Sequence, residues 1–166
     1  MGIECAVSSI GKLREILGDS PWAEERGFDV VERDLRVALP EEVKAVCSLY
    51  GDVLISDFIF IFGPEFMVDK GVWMSDFVRE GHPQIPRGVL PEDGGKLHWG
   101  NSVEGDKFFL ENRGSGRWTV SVFRRNWADW HESDETLSDW LVGVFEGRIA
   151  ADWMPEWPHQ HRMEVD

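Results

Sequence analysis

His159 and His161, one residue apart in "HQH", are the sequence's nearest approach to a metal-binding pair. Cys47, His98 and the carboxylates Asp129 and Glu132 are its other groups suited to catalysis. A zinc site needs three or four ligands around one point, and the tail around "HQH" offers no third, so an incidental pair is the simpler reading. His98 stands beside Trp99 in a stretch that alternates like a strand, where a core or half-exposed histidine is the default. Cys47 falls on the apolar stripe of a helix, which suits an inert packing thiol better than a nucleophile. Asp129 and Glu132 could work as an acid–base pair, but in so acidic a chain chance proximity explains them. The patterns G-x-S-x-G, H-E-x-x-H and the phosphate loop do not occur in the sequence. Catalysis would require His98 and a carboxylate to converge in a deep pocket; short of that, no enzymatic activity, no metal and no cofactor is expected.

Recognition is the other chemistry on offer. The chain has 31 acidic and 17 basic residues, a net charge of −14. From Asp129 to Asp166, ten acids face two arginines, a net of −8, whereas Lys107 to Arg125 holds five bases and one acid, a net of +4. Nucleic acid and anionic membranes are therefore poor partners, because binding to phosphate is driven by Lys and Arg. A solvated face that keeps the protein soluble accounts for the acid cluster; the more specific reading is a docking surface for a basic protein. On that reading Asp129, Glu132, Asp134, Glu135 and Asp139, together with Glu104 and Asp106, supply a charged rim. Trp127 and Trp130 are its anchor candidates, since tryptophan dominates interface hot spots. For each of these tryptophans the competing role is core packing.

A rim needs a rigid frame. At 166 residues the chain fits one domain, and a chain of this size buries roughly 70% of its unfolded surface. Nine Trp and ten Phe against one Tyr provide large, stiff core pieces. Cys5 and Cys47 form no C-x-x-C pair, so neither a disulfide framework nor a zinc ribbon is expected, and a reducing, cytoplasmic setting follows. Charged residues interrupt the first eighteen positions, which rules against an export signal. Ala6 stands where myristoylation wants Ser or Thr. The longest apolar run, Phe58 to Gly63, is far short of the ~20 residues that span a bilayer.

Patterning then places the elements. Ser8 or Ser9 can cap a first helix carrying Ile10, Leu13, Ile16 and Leu17 to a stop at Gly18, with Trp22 folding back as an anchor beyond it. "DVVERDL" is a short helical piece. In "LPEEVKAVCSLYG", Pro40 opens a helix, Glu41 and Glu42 oppose its dipole, and Val43, Val46, Cys47 and Tyr50 form one buried stripe before Gly51, a left-handed stop. "DFIFIFGP" alternates as a central strand covered on both sides. A helix around Trp73 and Phe77 runs to Gly81, although Gly71 weakens it by about 1 kcal/mol, and residues 82 to 95 are loop. "KLHWGN" and "KFFLEN" flank a hairpin turn with Gly105 at positive φ. "RGSG" is a second turn, and Trp118, Val120 and Val122 alternate with Thr119 and Ser121 as in a half-buried strand. Thr136 and Asp139 form a capping box for a helix bearing Leu137, Trp140, Leu141, Val144 and Phe145, which Gly147 closes. The tail from 149 to 166 can pack or dangle. Strands in the middle and helices at both ends make an α+β domain, a twisted, mostly antiparallel sheet with N-terminal and C-terminal helices packed against it.

The order "VVERDL", "LPEEVKAVCSLYG", an apolar strand ending in "GP", "HWGNSVEGDKFFLE" and "TLSDWLVGVFEG" resembles the SUKH superfamily, in the branch of fungal regulators of cell-wall glucan synthesis that is abundant in bacteria. The resemblance covers roughly residues 22 to 148. Val43 and Asp52 stand where relatives often carry an aromatic and a second glycine, and segment 64 to 96 has no counterpart. The resemblance implies an α+β domain without catalysis. Bacterial members act largely as immunity proteins that bind and neutralise polymorphic toxins, frequently nucleases; fungal relatives act as intracellular regulatory scaffolds. The matching positions Leu39, Pro40, Tyr50, Gly51 and Gly105 look architectural. A cognate toxin or other basic protein is the partner so implied.

Overall fold

The computed structural model describes residues 2–80, 88–124 and 129–165, the stretch 2–8 by its backbone alone. Among these residues the chain forms five helices: α1 (Gly2–Leu17), α2 (Asp29–Asp34), α3 (Glu41–Tyr50), α4 (Pro64–Arg79) and α5 (Leu137–Phe145). Its strands are β1 (Val53–Ile55), β2 (Ile59–Ile61), β3 (Leu97–Ser102), β4 (Lys107–Gly114), β5 (Arg117–Arg124), β6 (Asp129–Glu132) and β7 (Met163–Val165). They pair antiparallel in the order β6-β5-β4-β3-β2-β1-β7. This is an α+β fold.

Side-chain alternation gives the sheet two covered faces. Leu97, Trp99, Phe108, Leu110, Trp118, Val120 and Val122 join α1, α3 and α5 in one large core. On the opposite side Phe109 and Phe123 pack with Met74 of α4 and with Val89. The expectation of a half-buried β5 is corrected here: Thr119 and Ser121 are each 1% exposed, because α4 and the segment leading into β3 close over that face. Gly71 explains how α4 sits so near α2. A Cβ there would stand 3.1 Å from Leu35 Cδ2, so a residue weak for the helix serves the packing.

The motif around α3 holds three segments together. Its stripe of Val43, Val46, Cys47 and Tyr50 is buried as spaced, and Tyr50 Oη donates to the carbonyl of Gly18 at 2.8 Å, tying the ends of α3 and α1. Burial pushes the Tyr50 phenol up to about 12 and raises the Cys47 thiol. Gly51 is not the left-handed stop. Its φ is −64°, and the left-handed residue is Asp52 at φ 63°. Gly51 is demanded instead by close approach, since a Cβ would overlap the Cys47 carbonyl oxygen and lie 3.0 Å from Gly63 Cα. Asp52 tolerates its conformation because its carboxylate accepts the Gly63 N–H at 2.9 Å and pairs with Arg26 at 2.5 Å.

Other local expectations shift in instructive ways. Helix α1 begins at Gly2, so Ser9 lies inside it and bonds Asp139 instead of capping. Trp22 is 40% exposed and does not join the core among the described residues. Thr136 takes the N-cap position of α5 but makes no capping hydrogen bond; Ser138 N–H and Oγ–H both donate to Glu42 Oε1. The two turns with glycines form as expected, with Gly105 at φ 90° and Gly114 and Gly116 at 92° and 75°. Strands β1 and β6 were not legible from the pattern. The tail is packed: Trp153 and Trp157 sit against Phe58, His161 bonds Ser56 at 2.7 Å, and β7 pairs with β1.

Candidate functional site

The acids singled out from the sequence fall on β6, on the turn that leads to α5 and on the β3–β4 hairpin. Among the described residues strand β6 is an edge, paired with β5 alone, with Asp129 opposite Arg124 and Trp130 opposite Phe123. Asp129 and Glu132 are exposed, as is Asp134 just beyond. Asp129 lies 3.6 Å from His131, while Asp134 offers its backbone carbonyl to Arg117. Glu135 is less available: its carboxylate meets Arg148 at 2.8 Å, and its backbone carbonyl accepts from Val120. Asp139 accepts the Ser9 hydroxyl between two helices. An open edge therefore presents carboxylates at both ends of a four-residue strand, backed by a sheet that holds them in place.

Of the remaining candidates, Glu104 alone stays exposed near one end of this edge. Asp106 is 3% exposed and accepts the Ser102 hydroxyl at 2.8 Å, which makes it a brace of the hairpin and removes it from the rim. Glu104 is exposed, but the register Lys107–Phe123–Trp130 puts its turn at the Asp129 end of the sheet, away from Asp134 and Glu135. Trp130 lies inward, with ring centroids 5.5 Å from Phe109 and 5.3 Å from Phe123 and the Lys96 ammonium 5.3 Å from its own. It is spent on the core and cannot anchor a partner without leaving it. Trp127 lies outside the described residues.

Basic residues near the edge are already engaged. Lys96, 3% exposed, pairs with Glu111 at 3.0 Å, and Arg113 pairs with the same carboxylate at 3.3 Å while donating to Thr119. The +4 of the β4–β5 stretch is thus partly consumed inside the molecule. Carboxylates also gather away from β6: Glu24, Asp34, Asp52, Glu65 and Asp69 line a cleft of about 730 Å³ between α2 and α4, with Arg26 among them.

His98, expected as a core or half-exposed histidine, is a core one, packed between Phe62 and Phe109. His98 is 2% exposed, and its only ring-nitrogen contact among the described residues is with the Gly100 backbone. It lines a cavity of about 440 Å³ with Asp69, Lys70, Asn101 and Lys107. Burial first, then the charge of Lys107, pushes the imidazole down to about 3, against a backbone hydrogen bond with Gly100 and with a lesser contribution from Lys70. It is neutral at physiological pH. Asp69 shares the cavity but makes no hydrogen bond to His98, so the two do not form an acid–base relay. The signal for this site lay in the lysines, one on α4 and one on β4, and nothing local connects them. Of the terminal histidines, His159 is exposed and His161 is held against Phe145 and Ser56.

Compared with known proteins, the chain matches no family model, no curated protein and no solved structure.

Proposed function

We propose that this chain is a non-catalytic protein-binding domain of the SUKH type, most simply a cytoplasmic immunity protein that neutralises a basic toxin such as a nuclease. The observation that carries the reading is the open, acidic edge of β6, where Asp129, Glu132 and Asp134 stand exposed on a sheet buried on both faces. A nuclease must present cationic surface to its polyanionic substrate, and fixed carboxylates on a rigid edge can occupy that surface in place of phosphate. Opposite fields also raise encounter rates to ~10⁸–10⁹ M⁻¹s⁻¹ at low salt against ~10⁵–10⁶ without steering, which is what an antidote needs. The binding group is the Asp129–Asp134 edge with Glu104 at one end; Asp106 and Trp130 support it from inside.

The test is co-expression with a candidate toxin encoded beside this chain. Survival that depends on this protein, together with a stoichiometric complex on purification, is the expected result. Death of the cells regardless, with no complex formed, overturns the assignment and leaves the regulatory-scaffold role implied by the same resemblance.

A further inference from the structure

Among the described residues, the sheet face on which α4 lies is left open toward β7. In β1 and β2 the side chains of Val53, Ile55, Ile59 and Ile61 turn to the main core and are fully buried. The alternate positions form a cross-strand row, Glu164, Leu54, Phe60 and Asn101, set by the pairing of β7, β1, β2 and β3. Helix α4 meets this row at Phe60, where Phe66 packs edge-on with ring centroids 5.5 Å apart. From there the row runs on, half-buried at Leu54 and exposed at Glu164. A groove of about 320 Å³ lies along it, with Phe66 and Lys70 of α4 on one wall, Glu164 and Val165 of β7 on the other, and Val103 of the β3–β4 turn. Phe66, Val103 and Val165 are 37%, 56% and 49% exposed. Contiguous exposed apolar surface of this kind marks an interaction site.

Charge says what covers it. Lys70 and Glu164 are the two ionisable residues of the groove, both exposed, and they cancel. The adjoining cavity, which shares Lys70, adds one acid, Asp69, and one lysine, Lys107, so the joined surface stays balanced. Of the acids on neighbouring turns, Asp57 is paired with Arg162, and Glu104 lies outside the lining. In a chain of net −14 a second copy is repelled wherever acids dominate, and a balanced apolar surface is where two copies approach with least repulsion. A basic or an acidic partner would find one matching and one opposing charge here. A second copy matches both.

The arrangement of the walls agrees. An isologous contact sets residue i of one subunit on residue j of the other and j on i, so it needs a surface complementary to itself. Here one wall is aromatic and cationic and the facing wall aliphatic and anionic. A two-fold axis over Leu54 and Phe60 seats Phe66 of one copy against Val165 of the other and Lys70 against Glu164, twice over. Neither Lys70 nor Glu164 has an ion-pair partner of its own among the described residues.

We propose that two copies of this chain associate through this groove about a two-fold axis, α4 of each lying over β7 of the other. Strand β6 is at the opposite end of the sheet from β7, so the association leaves both acidic edges open and yields a dimer that carries two of them. The inference goes beyond the protein-binding role and does not rest on it, since no residue of the β6 edge takes part.

Sedimentation equilibrium of the full chain, from micromolar to millimolar concentration, tests this, and a reversible shift from monomer to dimer is expected. Glu164→Lys is the decisive variant. It lowers the net charge, so bulk repulsion alone would make the dimer tighter; facing Lys70 of the other copy, it makes the dimer weaker by about tenfold or more. Lys70→Glu weakens it to a similar degree, and the double exchange, Lys70→Glu with Glu164→Lys, returns it to within about threefold of wild type. Val103→Asp, at an exposed position of the groove, weakens it about tenfold. Glu25→Lys, an equal change of charge at an exposed residue outside the groove, does not. Circular dichroism checks the fold of each variant. A wild type that stays monomeric throughout, a Glu164→Lys dimer as tight as wild type or tighter, or a double exchange that fails to recover would each overturn the proposal. None of these outcomes bears on toxin protection, which is read in cells.

Discussion

Glu42 Oε1, in the first turn of α3, accepts the backbone N–H of Ser138 at 2.6 Å, so one helix supplies the cap of another 96 residues away. The same oxygen takes the Ser138 hydroxyl. The acid that looked like a dipole partner for its own helix is the tie between the Leu-Pro motif and the closing helix α5. Without it the unpaired amides at the start of α5 would lack their side-chain acceptor.

Glu42→Ala should therefore destabilise the fold by about 1–2 kcal/mol, the range for losing an N-cap acceptor, while Glu41→Ala, at an exposed neighbour, should stay within about 0.5 kcal/mol of wild type. Urea unfolding of the two variants checks this. Equal effects would mean that the dipole, and not the cap, matters.

Gly51→Ala tests the close approach. Its φ is ordinary, so conformational strain predicts little change, whereas the overlap with the Cys47 carbonyl predicts a loss of about 3 kcal/mol. A variant as stable as wild type would show that the chain there relaxes freely.

At the hairpin, Asp106→Ala should cost about 1–3 kcal/mol because it leaves the buried Ser102 hydroxyl without its acceptor. Glu104→Ala should leave stability unchanged within about 0.5 kcal/mol. In a complex with a cognate toxin the pattern reverses: neutralising Glu104, Asp129, Glu132 and Asp134 slows association and flattens its salt dependence, measured by stopped flow. A rate indifferent to ionic strength in the wild type would count against the charged edge.

His98 predicts a pH dependence. The folded protein holds the imidazole neutral down to about 3, while the unfolded chain protonates near its ordinary value of about 6.5. The unfolded state binds more protons in that window, so stability is full above about pH 6.5 and falls as pH is lowered through it, by up to about 1.4 kcal/mol per unit. His98→Phe, which keeps the ring packing against Phe62 and Phe109, should remove that slope in urea midpoints taken from about pH 7.5 to 4.5. Parallel curves for the two proteins would rule it out.

Periodicity and turn chemistry act over a few residues, and what they control was legible in the sequence. The buried stripe of α3, the hairpin at Gly105, the two-sided strand at Ile59 and Ile61, and the class of the fold all follow from local rules. The closing helix was legible too, though not its cap, because Glu42 reaches it only after α3 and α5 have docked. Strand β6 carried no alternation to announce it, being held by its pairing with β5 and the inward turn of Trp130. The candidate rim divided in the same way. Composition marked Asp129, Glu132 and Asp134 as acidic, but only the sheet register set them along one edge, sent Glu104 to one end and buried Asp106. Charge is a property of a residue, and its exposure is a property of the segments that close over it. For that reason the sequence alone determined that this protein is an acidic α+β domain. The tertiary structure decided which acids face solvent, and that Lys70 and Lys107 meet over His98.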